Sequence, residues 1–174
     1  MAATFNWAQT HGASGSEATV DLGASGNLFN FKDIDDATAA NYSSNPITAS
    51  DTGDQGRSYE VWLRGHWTDT FNKIENLQFW MSTNFSPATG LTVYWKGNNS
   101  GAYATPVKTD SAKAVSSVPT SDPGTANVSF GGSLSGDITA AGYSDYIILQ
   151  LDVAAAAAPG DTSLATFTLQ YDES

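Results

Sequence analysis

The chain has 174 residues, the size of a single compact domain. Eighteen acidic residues against seven basic ones give a formal net charge of −11, and that field disfavours binding to the phosphates of a nucleic acid. The absence of cysteine excludes disulfides, thiolate metal centres and a thiol nucleophile.

Residues 1–10 carry neither a basic stretch nor an apolar run of signal-peptide type. No stretch approaches the ~18 apolar residues of a membrane-spanning helix. The chain is therefore expected to fold in the cytoplasm of the producing cell and to need no membrane. Residues 1–26 read as an N-terminal arm on a single domain that spans 1–174, with a strand possible at 4–9 or at 18–22.

The remaining pattern has period 2, the signature of strands with one buried face. Alternation predicts strands at 28–32, 59–67, 77–84, 91–96, 126–130, 146–153 and 164–171. Turn chemistry separates them at Pro87 to Gly90, Pro123-Gly124 and Pro159 to Asp161. No window has helical periodicity. Many short strands joined by Gly, Pro and Ser predict an all-β fold, an antiparallel β-sandwich of jelly-roll type. The apolar alternates assign Phe29, Phe31, Val61, Leu63, Phe79, Val93, Ile147, Leu149, Leu151, Phe167 and Leu169 to the core. Residues 37–57 and 97–125 read as long polar loops, and loops of that length in a compact domain are commonly functional.

Catalytic chemistry is sparse in this sequence. His11 lies in a Gly/Ser-rich stretch, and His66 shares a strand face with Glu60 and Arg64. Gly132-Ser-Leu-Ser-Gly136 resembles a nucleophile elbow loosely, with Leu134 where the nucleophile would stand. Glu60, Glu75, Asp69 and Asp152 are the candidates for a glycosidase carboxylate pair, Glu60 being placed beside Trp62. Asp33 to Asp36 and Asp51 to Asp54 offer hard oxygen ligands for Ca²⁺, without EF-hand spacing. No residue is assigned a catalytic role, no cofactor is implied, and a non-enzymatic protein is expected.

Aromatic placement points to interaction. Trp62 falls in register with Glu60, Arg64 and His66, Trp80 with Gln78 and Ser82, and Tyr94 with Thr92 and Lys96. Large rings thus occupy faces that a one-sided sheet would keep polar. Either another layer covers them or a partner does. Trp62, Arg64, Trp80 and Tyr94 are accordingly the candidate interface residues, of the types enriched at protein contacts. The alternative is a sugar-stacking platform of Trp62, Trp80 and Tyr94, the reading of a carbohydrate-binding module. A slip of one residue in register would instead turn these rings into the core.

Several phrases resemble small virion structural proteins of tailed bacteriophages. They are Leu28 to Asp36, Tyr59 to Arg64, Tyr143 to Leu151, Pro159 to Thr162 and Phe167 to Glu173. The resemblance implies a β-rich, non-enzymatic capsid decoration or cement protein, located in the virion and assembled in the host cytoplasm. Its partners would be the major capsid protein or other virion subunits. It would also be a homo-oligomer, with a trimer among the arrangements found in that class.

Overall fold

The structure is a computed structural model that describes residues 2–23, 29–38, 42–98, 102–109 and 114–174. The described residues form nine strands and contain no α-helix. They are β1 (Thr4–His11), β2 (Ala18–Gly23), β3 (Val61–Thr68), β4 (Ile74–Thr83), β5 (Leu91–Lys96), β6 (Ser116–Ser117), β7 (Gly142–Tyr143), β8 (Ile147–Val153) and β9 (Thr166–Glu173). A 3-10 turn forms at Gly53–Gly56. No described helix is long and apolar enough to cross a membrane.

All strand pairings are antiparallel. The larger sheet has the order β2-β1-β3-β8-β5-β6, with β7 pairing β3 beyond the end of β8. β4 and β9 form a second, two-stranded sheet. The two sheets pack face to face as a sandwich divided seven and two, where an even jelly roll would divide eight strands equally. An isolated pair of strands is marginal in water, so β4–β9 depends on the core it covers.

That core follows from the alternation. Val61, Leu63 and Trp67 of β3 face Leu77, Phe79 and Met81 of β4, with Val93 and Trp95 of β5 and Ile147, Leu149 and Leu151 of β8 alongside. Phe79 stacks between Trp95 and Phe167, at centroid distances of 5.6 and 5.8 Å. Gly65 is required by this packing. A Cβ there would stand 2.5 Å from the Trp67 ring and 3.1 Å from Leu169, so only glycine lets the indole lie back along its own strand.

The predicted cores of β3, β4, β5 and β8 are buried, whereas Phe29, Phe31, Phe167 and Leu169 are only partly so. Phe167 and Leu169 belong to β9, whose sheet has only two strands, and Phe29 and Phe31 pack against Phe167. Both N-terminal possibilities are strands, paired as a hairpin. Two expected strands are absent. Residues 29–32 are irregular, and Leu28 lies outside the described residues. Residues 126–130 form only an isolated bridge, Phe130 to Ser133, across a turn in which Gly131 (φ 55°) and Gly132 (φ 84°) supply the two left-handed positions. Instead of a strand, Lys32 makes a local cage. Its side chain is 3% exposed, and the ammonium is held by the Asp36 carboxylate and by the carbonyls of Asp36 (3.1 Å) and Thr38 (2.9 Å). A buried cation satisfied in this way fixes an irregular path that alternation cannot indicate.

Candidate functional site

The even positions of β3 point away from the main core. Glu60, Trp62, Arg64 and His66 share this outer face with Ile148 and Gln150 of β8 and Tyr94 of β5. One half of the face is roofed. Residues 102–109 and Ala114, from the expected 97–125 loop, lie over it and form a second small core of Trp62, Tyr103, Ala114 and Ile148. Residues 99–101 and 110–113 of that loop lie outside the described residues.

Polar bonds fasten the roof. The Gln150 amide donates to the carbonyls of Ser58 at 3.0 Å and Thr109 at 3.2 Å, and lies within 3.4 Å of those of Val107 and Lys108. Glu60 and Val107 bond reciprocally: the Glu60 N–H donates to the Val107 carbonyl at 3.0 Å, and the Val107 N–H to Glu60 Oε2 at 3.3 Å. The Tyr103 hydroxyl donates to the Gly12 carbonyl at 2.6 Å, tying the roof to the β1–β2 turn. Burial, with Asp35 and Glu17 nearby, raises the Tyr103 pKa and keeps it a donor.

This arrangement corrects the expected interface. Trp62 is 0% exposed, its indole N–H donates to Glu60 Oε2 at 3.0 Å, and its ring meets Tyr103 and Tyr146 edge-on at 5.0 and 5.1 Å. It belongs to an intramolecular layer, not to a surface. Tyr94 is half-buried against the same cluster. Trp80 is half-buried on the outer face of the other sheet, opposite Thr168. The four candidates therefore do not form one patch. Glu60, placed beside Trp62 as a possible hydrolytic acid, is buried under the roof with its carboxylate engaged.

Arg64 stands where the roof ends, and the structure gives it a defined setting. Its guanidinium carbon lies 4.7 Å from the Tyr143 ring centroid and 4.5 Å from that of Tyr146. Its Nε donates to the Ser144 carbonyl at 2.8 Å. His66 stacks on Tyr143 at 4.1 Å with planes 9° apart. The result is a continuous series of contacts from His66 through Tyr143, Arg64 and Tyr146 to Trp62, in which Tyr143 is 38% exposed.

The segment that supplies both tyrosines is braced. The Gly65 N–H donates to Ser144 Oγ at 2.9 Å, and Ser144 Oγ donates to the Asp145 carbonyl at 2.8 Å. The Asp145 carboxylate accepts from Ser129 Oγ (2.6 Å), Gly131 N–H (3.0 Å) and Gly132 N–H (2.6 Å). These bonds brace the segment that carries Tyr143 and Tyr146 to the guanidinium. Among the described cations, Lys32, Arg57, Lys73 and Lys108 each face a carboxylate. Arg64 faces rings and a carbonyl instead. Its remaining N–H groups form a planar donor edge suited to a carboxylate or a row of carbonyls.

Sequence reasoning found Arg64 but missed Tyr143, Tyr146 and their Ser144-Asp145 brace. The signal was the Tyr-x-x-Tyr spacing at 143–146, which has meaning only once β7 pairs with β3. The acidic runs have other employment. Asp33 pairs with Lys108, Asp35 accepts from Gly12 N–H, Asp36 holds Lys32, and Asp51 accepts from Ala155 N–H. No group of three or more potential metal-ligating side chains occurs among the described residues.

Comparison with known proteins gives no match: no protein family fits the chain, and no curated protein or solved structure is similar to it. The resemblance to small phage virion proteins thus rests on the sequence phrases alone.

Proposed function

We propose that this chain is a non-enzymatic structural protein of a virus particle. It acts as a capsid decoration protein that docks through the Arg64–Tyr143 end of its outer sheet face. The observation that carries this reading is the arginine whose guanidinium lies over two tyrosine rings and is fixed by a bond to the Ser144 carbonyl. Arginine and tyrosine dominate the energetic centres of protein interfaces, and a side chain already fixed loses little entropy on docking. The strong net negative charge favours solubility and weakens adventitious contact with nucleic acid. Many copies on one shell would turn a modest single-site affinity into stable attachment. Each copy would then bridge neighbouring capsid subunits and oppose the outward pressure of packaged genome.

The test is add-back to particles that lack the chain. Wild type should bind at saturating stoichiometry, while Arg64→Ala and Tyr143→Ala should each weaken attachment by roughly thirtyfold, the effect of losing ~2 kcal/mol. Unchanged occupancy by both variants would refute this docking surface.

A second reading rests on Trp80. Its ring is half-buried on the outer face of β4, flanked by Gln78 and Ser82 and opposite Thr168, with Ser82 and Thr168 hydroxyls 2.9 Å apart. A ring bordered by exposed hydroxyl groups suits stacking on a sugar. Glycan-array binding that Trp80→Ala abolishes, with particle occupancy unaffected, would favour this carbohydrate-binding reading.

A further inference from the structure

We infer that β9 pairs edge to edge with β9 of a second copy of this chain, giving a continuous four-stranded sheet β4-β9-β9-β4 about a twofold axis. β9 is hydrogen-bonded to β4 on one side only. No backbone bond to any other described segment reaches residues 166–173 on the other side. The backbone groups of alternate residues, Phe167, Leu169 and Tyr171 among them, point to that side, and such a row is a template for another strand unless the edge is blunted.

β2, at one edge of the larger sheet, differs from β9 in that respect. β2 is short, carries Asp21 mid-strand, and holds a bulge at Leu22, the extra residue between the pairs Trp7–Gly23 and Ala8–Asp21. β9 is longer, and its only charged residues, Asp172 and Glu173, stand at its C-terminal end. Both irregularities in the β4–β9 ladder insert extra residues on β4, so β9 itself runs regularly. It contains no lysine and no proline, and the stretch from Thr162 to Tyr171 has no charged residue in a chain of net charge −11.

The strand is complementary to itself, which identifies a second copy as the occupant. Antiparallel partners present directly opposite side chains to the same face. With Leu169 opposite its own counterpart on the axis, Phe167 meets Tyr171 and Thr168 meets Gln170. The inward row of Phe167, Leu169 and Tyr171 then continues into the same row of the other copy. All three residues are only partly buried in the single chain. Asp172 falls opposite Thr166 and Glu173 opposite Ala165, so no carboxylate faces another. A twofold contact of this kind closes at two subunits along this edge.

The experiment is sedimentation equilibrium of the full chain from micromolar to submillimolar concentration, with two variants. Thr168→Lys combined with Gln170→Lys places like charges directly opposite across the proposed pair, twice. Wild type should dimerise, and the double variant should sediment as a monomer with an unchanged circular dichroism spectrum. Leu169→Cys supplies a positive test that is independent of the double variant's folding. In this cysteine-free chain it should form a disulfide-linked dimer under mild oxidation, whereas Leu164→Cys, in the same neutral stretch but outside the strand, should not. Wild type that remains monomeric throughout, a dimer that survives the double lysine change, or equal cross-linking at 164 and 169 would each overturn the inference.

Discussion

Replacing Trp62 by alanine separates a covered sheet face from an exposed one. The indole is wholly buried, touches two tyrosine rings edge-on, and gives its N–H to Glu60. Truncating a buried tryptophan costs about 3–5 kcal/mol. Loss of a donor to a buried carboxylate pushes the cost toward the upper end of that range. A domain of this size is typically stable by about 5–15 kcal/mol, so Trp62→Ala should lose a large share of its stability. Trp62→Phe keeps most of the ring and loses only the N–H, so it should cost about 1–3 kcal/mol. Urea unfolding followed by circular dichroism measures both, and the alanine variant should show the larger drop in midpoint. A loss below about 1 kcal/mol for Trp62→Ala would refute the roofed face, since surface substitutions are usually that mild.

Three other outcomes follow from the packing and the charges. Gly65→Ala should destabilise by about 1–3 kcal/mol through overpacking against Trp67 and Leu169, measured by the same unfolding assay, and a neutral result would contradict the close approach. Ser144→Ala removes the acceptor of the buried Gly65 N–H, so it should cost about 1–3 kcal/mol and also weaken particle attachment by freeing Tyr143 and Tyr146. Burial raises the Asp35 pKa above its ordinary 3.8, against the opposing Gly12 N–H and His11, so the folded state holds this proton more tightly than the unfolded chain does. Ionising Asp35 therefore removes stability as pH rises from near the unfolded value through the raised folded value. Asp35→Asn keeps an oxygen for Gly12 and has no such loss. Its stability relative to wild type should improve between about pH 3 and pH 7, and a pH-independent difference would refute the assignment.

The legible part of this fold was the part governed by alternation. β3, β5 and β8 carry their apolar residues at every second position, and these face the sandwich core as the spacing requires. Period 2 distinguishes two faces but does not say what lies over the second one. Trp62 in register with Glu60 and Arg64 reads as an exposed oddity until residues 102–109 are seen to cover it. That roof is held by Tyr103, Val107 and the Gln150 amide, scattered residues with no periodicity to betray them. The Lys32 cage and the Phe130–Ser133 turn likewise replace expected strands with side-chain and turn bonds that are set by local geometry. The arginine at the centre of the proposed docking surface was visible as a sequence anomaly. Its two tyrosines became visible only through the pairing of β7 with β3.

The central claim is that this chain is a particle-bound structural protein. The most direct measurement is cryo-electron microscopy of density-purified virus particles from the cells that produce it, with mass spectrometry of the same fraction. The account predicts the chain at fixed stoichiometry with the capsid subunit, seated on the outer shell with Arg64 and Tyr143 toward it. Particles free of the chain, with all of it in the particle-free fraction, would contradict the account.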